Sequence, residues 1–189
     1  EPAFVSEHLS WCSVGGRFFN DLLPLPYTSE SLDHVCARID QVQTVLKRPL
    51  LIENITRYLT WQDSTVPEGE FMAEAARTTG CGILLDINNV YVNAINFHLD
   101  PLDMLTAIPA QAVWEIHLAG FDRFGRRLID THGQAVHPDV WKLYEWVIDR
   151  IGPRPTLIEW DTNMPPLPLL VEQAEQADAI LGRCHVTAS

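Results

Sequence analysis

Five short apolar runs recur along the chain: Phe4-Val5, Pro49-Leu50-Leu51-Ile52, Ile83-Leu84-Leu85, Val113-Trp114-Glu115-Ile116 and Thr156-Leu157-Ile158. None alternates cleanly between apolar and polar, as expected of strands buried on both faces of a parallel sheet. Between them, apolar residues step by three and four. Leu32, Val35, Ile39, Val42 and Leu46 form one helical stripe behind a Ser29 cap. Phe71, Met72, Ala75 and Ala76 form a second, stopped by Gly80. Asp100-Pro101 opens a short helix with proline in its first turn. His137-Pro138 opens another, with Val140, Tyr144, Val147, Ile148 and Ile151 on one face and Gly152 at its end. A last helix is predicted over 167–181, ahead of Gly182. Strand alternating with helix means βαβ units around a parallel sheet. Five such units in 189 residues fall short of the ~250 typical of a closed (β/α)8 barrel. The chain therefore reads as one domain, residues 1–189, that is either an open α/β sheet or the C-terminal part of a barrel.

The residues that end these runs carry the chemistry. The first run ends at His8, the second at Glu53-Asn54, the third at Asp86-Ile87-Asn88-Asn89, the fourth at His117 and the fifth at Glu159-Trp160-Asp161. The intervals from His8 to Glu53, Asp86, His117 and Glu159 are 45, 33, 31 and 42 residues, one βα unit each. In parallel α/β folds the C-terminal strand ends face one site. A polar residue at one strand end is ordinary, because strands must surface. Five in register, all His, Asp or Glu, favour a metal site. Three carboxylates held ~5 Å apart at an effective dielectric near 20 repel by roughly 3 kcal/mol per pair, which protons or cations must relieve. Imidazole with carboxylate suits iron, manganese, zinc or cobalt, and the absence of thiolates argues against a structural zinc.

The segment after the fourth run adds Asp130 and His132, two apart, so that an extended chain would point both to one side. Counting them, four carboxylates and three imidazoles exceed one cation, which implies at least two metal ions. Asn88, with the strand parity of Asp86, is a further candidate ligand, and Asn89 is expected to cap the next turn. Glu115 shares parity with His117 as a partner for an imidazole, Glu7 reads as an ion-pair residue, and Asp161 is a lesser candidate. Asn54, Trp11 and Trp160 lie beside the strand ends as candidate substrate contacts. His34, His98 and His185 read as surface residues, and His137 as a helix start.

Composition narrows the partners. Apolar residues make up 47% and charged residues 20%, a globular balance. Lys and Arg number 13 against 25 Asp and Glu, a net charge of −12, which disfavours nucleic acid and anionic membrane surfaces. No apolar run approaches the roughly 18 residues of a spanning helix, and Glu1-Pro2-Ala3-Phe4 shows no signal-peptide pattern. Cys12, Cys36, Cys81 and Cys184 form no CxxC pair; Cys36, in a helical pattern, and Cys81, beside a strand pattern, read as buried thiols, and a reducing cytoplasm fits best.

Six ordered motifs then carry a resemblance: Ser6-Glu7-His8-Leu9-Ser10-Trp11, Leu51-Ile52-Glu53-Asn54, Leu85-Asp86-Ile87-Asn88-Asn89-Val90-Tyr91-Val92, Ile116-His117-Leu118-Ala119-Gly120, Asp130-Thr131-His132-Gly133 and Ile158-Glu159-Trp160-Asp161. Over essentially its whole length the chain resembles the multinuclear non-heme iron-dependent oxidative enzymes, a bacterial family that includes the methanobactin-biosynthesis iron enzyme. The resemblance implies a TIM barrel of the xylose-isomerase-like kind with two or three iron ions at its C-terminal face; zinc or manganese would be a substitute in isolated protein. It implies use of dioxygen to remodel cysteine or other residues of ribosomally made precursor peptides, which a small partner protein presents. By motif, His8, Glu53, Asp86, His117, Asp130, His132 and Glu159 match iron ligands, with Asn88 an extra one. Family members carry about three strands ahead of the Ser-Glu-His motif, one bearing a further histidine ligand. The expectation is thus a fragment or truncated protein holding the fourth to eighth barrel strands, with open edges that favour self-association. Two other functions fit the residues: a divalent-metal isomerase or hydrolase acting on sugars or phosphodiesters, and a non-catalytic binding protein. The first is disfavoured because the only lysines, Lys47 and Lys142, lie in helical segments.

Overall fold

The computed structural model describes residues 1–186, with side chains over 1–183; the side chains of Cys184 and His185 lie outside the described residues. Five parallel strands form the central sheet: β1 (Ser6–His8), β4 (Leu51–Glu53), β5 (Gly82–Asp86), β6 (Val113–Leu118) and β9 (Thr156–Ile158), adjacent in that order. Four of them, β4, β5, β6 and β9, fall on apolar runs of the sequence; β1 lies just past Phe4-Val5, on the exposed residues Ser6–His8. The sheet is that of a partial TIM-like barrel and does not close.

The helices cover one face. They are α1 (Ser29–Leu46), α2 (Glu68–Thr79), α3 (Ile87–Phe97), α4 (Pro101–Ala107), α5 (Pro138–Ile151) and α6 (Leu167–Val186). Ile52, Ile83, Leu85, Ile116 and Leu118 point from the sheet into a core shared with Phe71 and Met72 of α2 and Val140, Tyr144 and Ile148 of α5. Burying side chains of this size stabilises by about 1.5–3 kcal/mol each. The helix starts follow ordinary capping chemistry. Asp100 caps α4, and His137 caps α5 by accepting from the Asp139 amide at 3.2 Å. The α1 cap is Thr28 rather than Ser29: its Oγ1 accepts from the Ser31 amide at 3.1 Å. Helix α6 runs through Gly182 to Val186 instead of stopping at Leu181.

Two hairpins interrupt the βα rhythm. β2 (Ser10–Val14) and β3 (Arg17–Pro24) turn through Gly15 and Gly16 at φ 56° and 77°, which suits glycine. This hairpin exposes Val14, Phe18 and Phe19, and Cys12 with them, whereas Cys36 and Cys81 are buried. The second hairpin, β7 (Asp122–Phe124) with β8 (Arg127–Ile129), carries the chain from the end of β6 to the Asp130 loop. Helix α3 also went unpredicted. β5 runs into it without a loop, and Val90-Tyr91-Val92 has strand composition.

Candidate metal centre

The ladder register sets which side chains share a face. His8 pairs with Glu53, Glu53 with Leu84, Asp86 with His117, and His117 with Leu157. Paired residues point to the same side and side chains alternate along each strand. His8, Glu53, Asp86 and His117 therefore share the face away from the helices, and Glu159, two beyond Leu157, joins them. Glu53, Asp86, His117 and Glu159 each offer a donor atom within 4.8 Å of the other three. His117 Nδ1 lies 3.1 Å from Glu159 Oε2 and 3.5 Å from Glu53 Oε1. His8 stands at the margin, with Nε2 3.5 Å from Glu53 Oε2 and its side chain 42% exposed. Glu115 Oε1 is 3.9 Å from His117 Nε2, on the same face one layer deeper.

Asp86 is at once the last residue of β5 and the N-cap of α3. Its Oδ1 accepts from the Asn89 amide at 2.7 Å, so Asp86 does the capping rather than Asn89. Its Oδ2 is buried without a partner. Asn88 therefore owes its position to the first turn of α3, not to strand parity. Its Nδ2 donates to Asp130 Oδ1 at 2.7 Å, and its Oδ1 is buried and unpartnered. Asn54 takes a different part. Its amide donates to the Asp86 carbonyl at 2.8 Å and accepts from the Asp86 amide at 2.9 Å, with both residues fully buried. Asn54 is thus a clamp on Asp86, with no surface for a substrate. Asn89 and Asn93 continue the clamp by donating to the carbonyls of Asn54 and Ile55.

Asp130 and His132 meet, but not through an extended segment. His132 is left-handed, with φ 45°, and this kink brings its Nε2 to 2.7 Å from Asp130 Oδ1. That contact lacks hydrogen-bond alignment, and Nε2 counts among the buried unpartnered atoms. The loop is tied down throughout. The Asp130 amide donates to Tyr58 Oη at 3.0 Å, and Asp122 accepts from Thr131 Oγ1 and Gln134 Nε2 at 2.8 and 3.0 Å.

Electrostatics couples the two groups. Burial raises the Asp86 carboxyl well above its ordinary value, and the Asp130 charge raises it further. Burial lowers the His117 imidazole, but hydrogen bonds with Glu159 and Glu53 and the charges of Glu53 and Asp86 outweigh it and bring His117 to about 10. His132 reaches about 9 against the same burial penalty, through Asp130, Asp86 and Glu159. The hydrogen bond from His117 lowers Glu159. Such shifts mark a site that seeks positive charge.

The donor set fits metal ions. Ligand bonds of about 2.0–2.2 Å leave donors at most about 4.4 Å apart, so the four-residue cluster needs to close by only a few tenths of an ångström. Asp86 Oδ2, Asn88 Oδ1 and His132 Nε2 are buried polar atoms with no hydrogen-bond partner among the described residues, and a cation would satisfy them.

The two tryptophans behave differently from each other. Trp11 packs edge-on to Phe19 at 6.0 Å and donates from Nε1 to the Pro24 carbonyl at 3.1 Å, so it braces the first hairpin. Trp160 Nε1 is buried without a partner. A cavity of about 760 Å3 lies between the segment that carries Arg57 and Trp61, α2 and α4, and is lined by none of the candidate ligands. Sequence reading missed its central feature, the buried Arg57–Glu68 ion pair at 3.1 Å with Tyr27 donating to Glu68 at 3.0 Å.

Residues 1–182 match the family described as RiPP precursor modification enzyme MbnB/TglH/ChrH. Among curated relatives, a UPF0276 protein of Chromobacterium violaceum is 52% identical over 181 residues, covering 96% of this chain and 66% of the relative. A UPF0276 protein of Acaryochloris marina is 51% identical, again covering 96% and 66%. A third, of Paraburkholderia phytofirmans, is 49% identical and covers 100% of this chain and 61% of itself. The chain thus spans two thirds or less of the length of these relatives. Through its match over nearly every residue, the chain belongs to the MbnB/TglH/ChrH family of RiPP precursor modification enzymes.

Proposed function

We propose that this chain carries most of the metal centre of a multinuclear iron-dependent oxidative enzyme that modifies cysteine or other residues of a ribosomally made precursor peptide. The observation that carries this reading is the convergence of Glu53, Asp86, His117 and Glu159 on one spot, with the buried Asp86 Oδ2 unpartnered. In this reading the chain is a single domain that contributes the last five βα units of a TIM barrel.

Glu53, Asp86, His117 and Glu159, with His8 at the margin, would hold one locus; Asn88, Asp130 and His132 would hold a second beside it. Two or three iron ions, when bound, would supply the electron transfer to dioxygen that the peptide residue undergoes. The rest of the work falls to the chain. Asn54 and the Asn89–Asn93 ladder fix Asp86 against the end of β4. The charge of Asp130 next to Asp86, and the protons held on His117 and His132, set which groups give way to a cation. Trp160, with its free indole N–H, remains a candidate contact for a peptide carbonyl. A small peptide-presenting protein, and self-association through edge strands β1 and β9, belong to the same proposal. So does a cytoplasmic setting; among the described residues no helix is long and apolar enough to cross a membrane.

The test is mass spectrometry of a precursor peptide incubated with the whole, iron-loaded protein, its partner and oxygen. A mass change localised to a cysteine or other core residue that requires iron and oxygen supports the reading. Turnover of a free sugar with manganese or magnesium, with the peptide untouched, would replace it with the isomerase alternative.

A further inference from the structure

We propose that Asp161 is the positioning residue for His132, holding a hydrogen on Nδ1 so that Nε2 is presented towards Asp130 and its partner Asn88. The inference rests on the metal reading above. It starts from the backbone. The His132 carbonyl accepts from the amides of Asp161 and Thr162 at 2.8 and 3.3 Å. Thr162 Oγ1 donates to the Thr131 carbonyl at 2.9 Å, and a side chain at Gly133 would run into that same hydroxyl. The 161–162 segment is therefore clasped to the left-handed turn at His132 without help from the Asp161 carboxylate.

On that frame the two ring nitrogens face different groups. Nε2 is buried and unpartnered, 2.7 Å from Asp130 Oδ1. Nδ1 lies 3.1 Å from Asp161 Oδ2. Glu159 Oε2 is the other acidic neighbour of Nδ1, at 3.5 Å, but it stands closer to His117 Nδ1, at 3.1 Å. A neutral imidazole carries one N–H, and the carboxylate it faces decides which nitrogen keeps it. Asp161 thus leaves the Nε2 lone pair on the side of Asp130, whose Oδ1 also accepts from Asn88 Nδ2; Asn88 Oδ1 and Asp86 Oδ2 are themselves buried without hydrogen-bond partners. The Asp161 side chain is 61% exposed, so water serves its remaining lone pairs. The competing role, Asp161 as a ligand with Nδ1 and Glu159, would turn the His132 lone pair outward and leave those buried atoms unsatisfied.

The test uses Zn(II) titrated into the whole protein against a competing chromophoric chelator, for the wild type and for Asp161→Ala, Asp161→Asn and His132→Ala. Loss of such an outer partner costs about 10- to 100-fold in metal affinity. Asp161→Ala is expected to weaken the most weakly held ion by that factor, with the ion count at saturation and the thermal midpoint of the metal-free protein unchanged. Asp161→Asn, whose side-chain oxygen still accepts from Nδ1–H, should recover most of the loss. His132→Ala should remove the ion. If the wild type binds no Zn(II), the metal reading itself falls; if His132→Ala binds metal like the wild type, His132 is no ligand and the Asp161 assignment falls, with the Glu53–Asp86–His117–Glu159 locus untouched. If His132→Ala loses an ion while Asp161→Ala binds normally, the Asp161 assignment alone is overturned. A lowered ion count in both Asp161 variants would make Asp161 a ligand and overturn it equally.

Discussion

Asn54→Ala is the substitution whose consequence the structure fixes most closely. The Asn54 amide stands where the β4–β5 ladder stops, and it makes two bonds to the Asp86 backbone, at 2.8 and 2.9 Å, with both residues fully buried. Alanine removes both and strands a buried N–H and a buried C=O. Each stranded group costs about 1–3 kcal/mol, so the loss should be about 2–6 kcal/mol, a large part of the 5–15 kcal/mol typical of a domain. Urea unfolding followed by circular dichroism reads it as a lower midpoint with an unchanged slope. Asp86 should also lose its fixed position, so the variant should bind metal more weakly even where it remains folded. A loss below about 1 kcal/mol at unchanged slope would refute the reasoning, because it would mean that water or another group satisfies Asp86 as well as Asn54 does.

Other consequences are as direct. Burial raises Glu68 above its ordinary range in spite of Arg57 and Tyr27; a raised folded value gives stability that is full below the unfolded value of about 4.3 and is lost as pH rises through the folded one. The stability advantage of the wild type over Glu68→Gln should therefore shrink as pH rises from about 4 towards 7; thermal melts across that range showing a growing gap would mean that the Arg57 pairing outweighs burial. Gly120→Ala would press a Cβ into the backbone of Gln134 and Ala135, which cannot swing away, and should cost about 3 kcal/mol by urea unfolding. Replacing Asp130 and His132 together with alanine should lower the iron count by about one, if they hold an ion separate from that of Glu159; an unchanged count by elemental analysis would remove them from the site.

Four strands of the sheet, β4, β5, β6 and β9, are legible as apolar runs; β1 sits on exposed Ser6–His8 just past Phe4-Val5, and the His, Asp and Glu residues at the strand ends follow in the predicted order. Intervals that each fit one βα unit were enough to predict that His8, Glu53, Asp86, His117 and Glu159 share one end of a sheet. What escaped was local. Asn88 was assigned to the site by strand parity, yet it sits on the first turn of α3, because a strand that passes directly into a helix leaves no turn residue to mark the boundary. Asp130 and His132 were paired through an extended segment that does not exist; a left-handed His132 brings them together, and no pattern of residue types announces that. Asn54 looked like a surface beside the site and proved to be a buried clamp, since a side chain bonded to a backbone 32 residues away leaves no periodic trace.

The central claim is that these strand ends hold several iron ions. The most direct measurement is elemental analysis of the whole protein purified without oxygen. Two or three iron ions per chain, falling to fewer in Glu53→Ala or His117→Ala, is the predicted result. One zinc per chain with no iron, or no metal at all with a melting temperature indifferent to chelator, would contradict it.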